Sequence, residues 1–258
     1  MSKLSMQHPA LDEQKSELRA VWIFILVTLF VSIALLFMLP GIGGPSLIVF
    51  VPTITAVLLI RFTYGKGQVK TRLFSRDQWR ISLKWLLISL GLALALRVGV
   101  GLAGLVWVPG YIFQPGPFSP FLLLVFLFAA GEEIGWRGFA LPTLLAHGYR
   151  PLIATLILAI PWALLHLPLV LPGMLSAGTP MLAQFLIILA LAFLTTWIYL
   201  ASSNSLTAVV LLHGSQNLLV ILNNGFDATT SGWLMAAVYG TAALLIILLT
   251  KGRLGLLD

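Results

Sequence analysis

The sequence predicts an all-α protein, a polytopic membrane helix bundle of about eight transmembrane helices, and three observations carry that prediction. Hydrophobic residues make up 59% of the chain and charged residues only 9%, against roughly a quarter charged in soluble domains. The apolar residues gather into runs close to the ~20 residues that a bilayer-spanning helix needs. Most basic residues fall in the short connections between those runs, as the positive-inside rule requires.

In chain order the runs are 20–39, 42–60, 85–108, 118–136, 151–171, 181–200, 206–222 and 232–250. The first follows a polar stretch, residues 1–19, in which Asp12, Glu13, Lys15, Glu17 and Arg19 make a cleavable signal peptide a poor reading. The first run is therefore expected to remain as a span and residues 1–19 to form a cytoplasmic tail. The second run is the weakest helix, since it contains Gly43, Gly44, Pro45 and Pro52.

Between the second and third runs, residues 61–84 carry Arg61, Lys66, Lys70, Arg72, Arg76, Arg80 and Lys84 against a single acid, Asp77, which marks a basic cytoplasmic loop. With Trp79 and Trp85 near its end it reads either as an amphipathic surface helix against anionic headgroups or as a solvated loop. Eight spans then place both termini in the cytoplasm. The connections on the opposite side, near Gly41, Gly110, Gly173 and Asn224, carry no lysine or arginine. The expectation is a multi-pass protein of the cell membrane.

The formal net charge of +7 would suggest nucleic acid in a soluble protein, but here it follows from topology, and no nucleic-acid partner is expected. The chain has no cysteine, which removes disulfides, thiolate metal sites and a cysteine nucleophile. No internal repeat or long linker divides it, so residues 1–258 read as a single membrane domain.

Polar side chains inside the apolar runs carry the chemistry. The fourth run ends in Gly131-Glu132-Glu133-Ile134-Gly135-Trp136-Arg137. A charge within a membrane segment costs a few kcal/mol even on lenient scales (about 3), so such residues face the protein interior and work. On a helix Glu133 and Arg137 share a face and can pair, while Glu132 points about 100° away toward other partners. The fifth run brings His166, bracketed by Pro161 and Pro168, and the seventh brings His213 and Asn217, four residues apart on one face. Each alone reads equally as interhelical hydrogen bonding. Three runs that each supply proton-transfer or hydrogen-bonding groups favour a site.

Arg97, in the middle of the third run, is expected to pair with a carboxylate such as Glu133, or to snorkel. His147 and His8 read as surface residues. Trp136 and Trp162 read first as apolar packing or interface anchors, and second as the lining of a site.

These motifs resemble the intramembrane CAAX-processing and bacteriocin-processing proteases, relatives of the type II CAAX prenyl endopeptidase. The family pattern is Glu-Glu-x-x-x-Arg, then aromatic-x-x-x-His, then His-x-x-x-Asn. Here these are Glu132-Glu133-Ile134-Gly135-Trp136-Arg137, Trp162-Ala163-Leu164-Leu165-His166 and His213-Gly214-Ser215-Gln216-Asn217. Tryptophan stands where phenylalanine is common. The resemblance covers residues 118–222, which would be the catalytic core, and the first three runs carry no motif.

The resemblance implies an intramembrane endopeptidase acting on a membrane-associated protein or peptide. Peptide hydrolysis needs an activated water, a proton for the leaving amine and a stabilised oxyanion. Glu132 is assigned as general base with His166 holding the water, His213 and Asn217 as oxyanion donors, and Glu133 with Arg137 as a structural pair. The competing expectation is a catalytic zinc held by Glu132, His166 and His213. Two readings from other classes stand beside proteolysis. One is an ion- or proton-coupled transporter lined by the same groups; the other is a catalytically silent membrane binding protein.

Overall fold

The computed structural model describes residues 9–39 and 43–255, and all the regular secondary structure in them is helical. Eleven α-helices follow one another: α1 (Pro9–Met38), α2 (Gly43–Ile48), α3 (Val51–Tyr64), α4 (Gln68–Leu73), α5 (Leu83–Trp107), α6 (Leu124–Gly135), α7 (Leu141–Ala146), α8 (Pro151–His166), α9 (Met181–Ala201), α10 (Leu206–Leu218) and α11 (Ala228–Leu249). Short 3₁₀ turns at Pro120–Leu123, Leu167–Val170 and Leu219–Asn223 extend α6, α8 and α10. The fold class is as the sequence indicates, a polytopic bundle of helices.

Local chemistry sets several of the ends. Ser205 caps α10 by accepting the amide of Ala208 at 3.2 Å, and Asp227 caps α11 by accepting the amide of Thr230 at 3.0 Å. Pro151 begins α8, where its missing N–H costs nothing. Ser203 and Asn204 take positive φ in the tight turn between α9 and α10, a conformation that short polar residues tolerate.

Seven segments are long and apolar enough to cross a membrane: Lys15–Met38, Gly44–Tyr64, Leu83–Trp107, Pro151–Val170, Met181–Ala201, Leu206–Asn223 and Ala228–Leu249. They coincide with seven of the eight expected runs. The remaining run, at 118–136, is helical too, but it carries Glu132, Glu133 and Arg137, and a π-helical turn at Trp136–Ala140 separates α6 from α7. Charge and interruption set this segment apart from a plain span. The start of the second run, Ile42, and the turn at Gly41 lie outside the described residues, as do Lys3 and His8 in the tail. The rest of the expected tail is not loose chain, since α1 begins at Pro9.

In the packing, α9 touches α8, α10 and α11, while α6 lies between α3 and α10. α5 closes the other side of α10 and also meets α11, and α1 covers α3 and α8. The helix that carries the two carboxylates thus sits in the middle of the bundle. Small residues make this approach feasible. A Cβ on Gly135 would stand 2.5 Å from the Pro52 carbonyl carbon, and one on Gly131 would stand 2.8 Å from the Val49 oxygen. Gly131 and Gly135 are one turn apart, a small-x-x-x-small face that lets α6 meet α3 and the turn before it backbone to backbone. Thr53 Oγ1 donates to the Gly131 carbonyl at 2.6 Å across the same contact.

The basic segment 61–84 is part surface helix and part ordered connection. α3 continues to Tyr64, α4 follows, and the remainder is strapped onto the start of α10. Leu206 N donates to the Gln78 carbonyl at 2.7 Å, Ser205 Oγ to the Arg80 carbonyl at 2.6 Å and Thr207 Oγ1 to the Trp79 carbonyl at 2.9 Å. The strap's carbonyls take up donors at the helix N-terminus, where amides lack intrahelical partners. Arg61, Lys66, Lys70, Arg76, Arg80 and Lys84 remain exposed.

Candidate active site

The last turn of α6 places Glu132 and Glu133 in the interior, 7% and 0% exposed, and the π turn that follows buries Arg137 at 3%. A buried carboxylate must be paired or fully hydrogen-bonded, and each of the two solves this differently. Glu133 is flanked on both oxygens: Arg137 Nη1 donates to Oε2 at 2.9 Å, and His213 Nδ1 lies 2.8 Å from Oε1. Glu132 has a neutral partner, the indole N–H of Trp162, which donates to Oε2 at 2.5 Å. One carboxylate is fixed in an ionic cluster; the other keeps its Oε1 for a further partner.

Trp162 organises the cluster. It is 1% exposed, its ring lies beneath the Arg137 guanidinium at 4.5 Å, and both imidazoles meet it edge-on, His166 at 5.6 Å and His213 at 5.5 Å between centroids. The expectation that Trp162 is apolar packing is corrected, because its N–H holds Glu132 and its faces seat three other site groups. Trp136 does conform to that expectation as a packed ring against Phe24 at 5.0 Å.

The histidine tautomers follow from their partners. His166 Nδ1 stands 2.8 Å from the Trp162 carbonyl, and His213 Nδ1 faces a carboxylate. Both partners only accept, so Nδ1 carries the proton in each ring and Nε2 is a bare acceptor when the ring is neutral. His166 is half-buried and Asn217 is exposed. The structure therefore joins Glu132, Glu133, Arg137, Trp162, His166 and His213 into one connected set. Asn217, one turn beyond His213 on α10, makes no side-chain hydrogen bond to that set.

Bare Nε2 atoms on two histidines are the chemistry a metal ligand needs. Placement is another matter: among the described residues no three His, Asp or Glu side chains converge so that they would hold a metal ion. Glu132 Oε2 is engaged by Trp162, and both oxygens of Glu133 are engaged by cations or donors. As the side chains stand, Glu132, His166 and His213 do not converge as a zinc site requires.

Arg97 departs from expectation as well. It pairs with no carboxylate; Nε and Nη2 donate to the Gln216 carbonyl at 3.0 and 2.5 Å, and Nη1 donates to Asn223 Oδ1 at 3.3 Å. Glu133 was already satisfied by Arg137 and His213, and α10 stands between α5 and α6. His147 is not a plain surface residue either: its ring is 7% exposed and Nε2 lies 3.4 Å from Glu17, which also faces Arg72 at 3.7 Å. Sequence reading missed Trp162 as a holder of Glu132 and the Gly131/Gly135 contact. The second was visible as Gly-x-x-x-Gly spanning the carboxylates.

Residues 114–219 match the family model described as type II CAAX prenyl endopeptidase Rce1-like. The chain is also 28% identical, over 206 residues, to a protein of Methanococcus maripaludis named CAAX prenyl protease 2, an alignment that covers 72% of each chain. All six expected site residues and Trp162 lie inside the matched range.

Proposed function

We propose that this chain, whose residues 114–219 match the Rce1-like CAAX prenyl endopeptidase model, belongs to that family and hydrolyses a peptide bond in a membrane-associated protein or peptide. The observation that carries the reading is the buried carboxylate pair with unequal partners: Glu133 saturated by Arg137 and His213, Glu132 held on one oxygen only.

In this reading Glu132 Oε1 takes one proton from water while His166 Nε2 accepts a hydrogen bond from the water's other O–H, which stays intact, and so fixes its direction. The hydroxide so formed attacks the scissile carbonyl. His213, doubly protonated with Glu133 as its countercharge, donates from Nε2 to the developing oxyanion, and Asn217 adds a second donor from the same helix face. Glu132 then returns its proton to the leaving amine, which restores the carboxylate. The oxyanion role of His213 requires that second proton, because the Glu133 contact leaves Nε2 bare in the neutral ring. The same proposal assigns the chemistry to side chains and not to a metal, and takes the membrane to be a cell membrane with both termini in the cytoplasm.

The test is cleavage of a membrane-associated peptide library by purified protein. Glu132→Gln keeps the indole hydrogen bond but removes the base, and the rate should fall by about 10²- to 10⁴-fold. Folding, followed by melting in detergent, should be unchanged. His213→Ala should also abolish cleavage. Activity that persists in chelator supports the side-chain mechanism; activity lost in chelator and restored by zinc would replace it with the metal mechanism. Wild-type rates in Glu132→Gln would sink the assignment.

A further inference from the structure

Asn217 is the site residue with the least support, being exposed and without a side-chain hydrogen bond to any of the described residues. Its direction must come from the backbone beneath it. That backbone is about to end: α10 stops at Leu218 and gives way to the 3₁₀ turn Leu219–Asn223. The last four carbonyls of an α-helix have no intrahelical partner, and Gln216 is among them.

Arg97 supplies the missing partner. Two of its nitrogens converge on the Gln216 carbonyl, Nε at 3.0 Å and Nη2 at 2.5 Å, so a cation stands at the negative end of the α10 dipole. The third nitrogen, Nη1, donates to Asn223 Oδ1 at 3.3 Å, and Asn223 Nδ2 returns a bond to the Arg97 carbonyl at 3.0 Å. This reciprocal pair closes the 3₁₀ turn back onto α5. The Gln216 side chain is gripped as well, with Nε2 donating to the Ala93 carbonyl at 3.1 Å and Oε1 accepting from the Tyr239 hydroxyl. The residue immediately before Asn217 is thus held at its carbonyl and at both ends of its amide, by α5 and α11. Neither helix brings a side chain to the carboxylate cluster.

We infer that Arg97 is a positioning residue for the reaction: it caps α10 at Gln216 and thereby fixes the direction of Asn217. The inference rests on the proposed role of Asn217 as an oxyanion donor. It assigns a purpose to an intramembrane charge that the chemistry does not otherwise use, and it explains why that charge has a carbonyl and an amide as partners instead of an acid. A lysine cannot take its place, since one ammonium cannot reach the Gln216 carbonyl along two directions and Asn223 together.

The experiment is a double-mutant cycle with a structural readout beside it. Arg97→Lys should lower kcat roughly 10- to 100-fold, as a misplaced group does, and leave KM within about twofold. In an Asn217→Ala background the same change should cost almost nothing, because the group it positions is gone. An equal loss in both backgrounds would mean that Arg97 acts through general stability, and overturns the inference. Asn223→Ala, which removes one arm of the clamp, should show a smaller effect with the same dependence on Asn217; it stands in if Arg97→Lys fails to fold.

Because the chain has no cysteine, position can be read without activity. The rate at which N-ethylmaleimide labels Asn217→Cys should change severalfold when Arg97→Lys is added, while labelling of Ser203→Cys at the exposed turn before α10 stays constant. Equal rates at position 217, or no labelling there in either background, would overturn the inference. If Asn217→Ala alone leaves kcat unchanged, the proposed oxyanion role fails, and labelling still decides whether Arg97 sets the position.

Discussion

Two arginines are buried in the bundle almost equally, Arg97 at 4% exposure and Arg137 at 3%, and they are satisfied in opposite ways. Arg137 is ionic: Glu133 lies 2.9 Å away, with His213 on the carboxylate's other side. Arg97 is surrounded by dipoles, namely the Gln216 carbonyl, Asn223 and, at 3.3 Å, the Met235 sulfur, with the Tyr239 ring 5.8 Å away. Both act on α10, Arg137 through His213 and Arg97 through Gln216. The difference teaches that burial of a charge does not itself mark chemistry. Where the partner is an acid, removing either member leaves an uncompensated ion; where the partners are neutral, removing the cation leaves only unbonded neutral acceptors.

That contrast orders the expected losses of stability. Arg137→Met strands the Glu133 carboxylate, and breaking a buried pair in this way costs about 3–5 kcal/mol. Arg97→Met strands a carbonyl and an amide oxygen, which costs about 1–3 kcal/mol. Thermal unfolding in detergent should therefore rank Arg137→Met well below Arg97→Met and both below wild type. The reverse order would mean that the Arg97 cage, and not the ion pair, is the main anchor of α10.

A comparable loss should follow from the backbone contact that sets α6 deep enough to bury its acids. Gly135→Ala brings a Cβ within 2.5 Å of Pro52 backbone, which cannot yield as a side-chain tip would, so ~1–3 kcal/mol is expected. Gly138→Ala is its control: the nearest atom is the flexible Leu206 Cδ1 at 3.3 Å, and melting should scarcely change. Comparable in stability, and visible in rate as well, is Trp162→Phe. It keeps a ring under Arg137 and removes the N–H from Glu132, a bond to a charged group worth about 1.5–3 kcal/mol. Cleavage should slow about tenfold or more while the protein stays folded.

How far the sequence could anticipate this follows from the range of each interaction. The Glu133–Arg137 pair was legible because it is local, four residues apart on one helix, as were the apolar runs that coincide with seven helices long and apolar enough to cross a membrane. The unequal partners of the two acids were not legible, since Trp162 and His213 come from α8 and α10 and their approach depends on packing. The expected Arg97–carboxylate pair failed for the same reason: charge complementarity in sequence says nothing about which helix intervenes. The strap at 61–84 was hidden because backbone carbonyls, which carry no sequence signature, hold it to α10.

The finest test of the contrast lies at an exposed charge. Asp227 caps α11, the helix whose Tyr239 grips Gln216, and bonds from the Thr230 hydroxyl at 2.5 Å and, second, its amide at 3.0 Å hold the carboxyl below the ordinary carboxylate range. A carboxylate whose pKa is depressed on folding contributes stability that is present above its unfolded value, near 3.8, and is lost as pH falls through the folded value. The melting difference between wild type and Asp227→Ala should thus be constant above about pH 5 and close as the pH drops below about 4. The cap is fully exposed, so the effect should be small and weaken with salt. If α11 holds the Arg97 cage together, Asp227→Ala should also slow cleavage slightly in wild type and not in Arg97→Lys. An effect on cleavage of the same size in both would place the influence of α11 outside the cage.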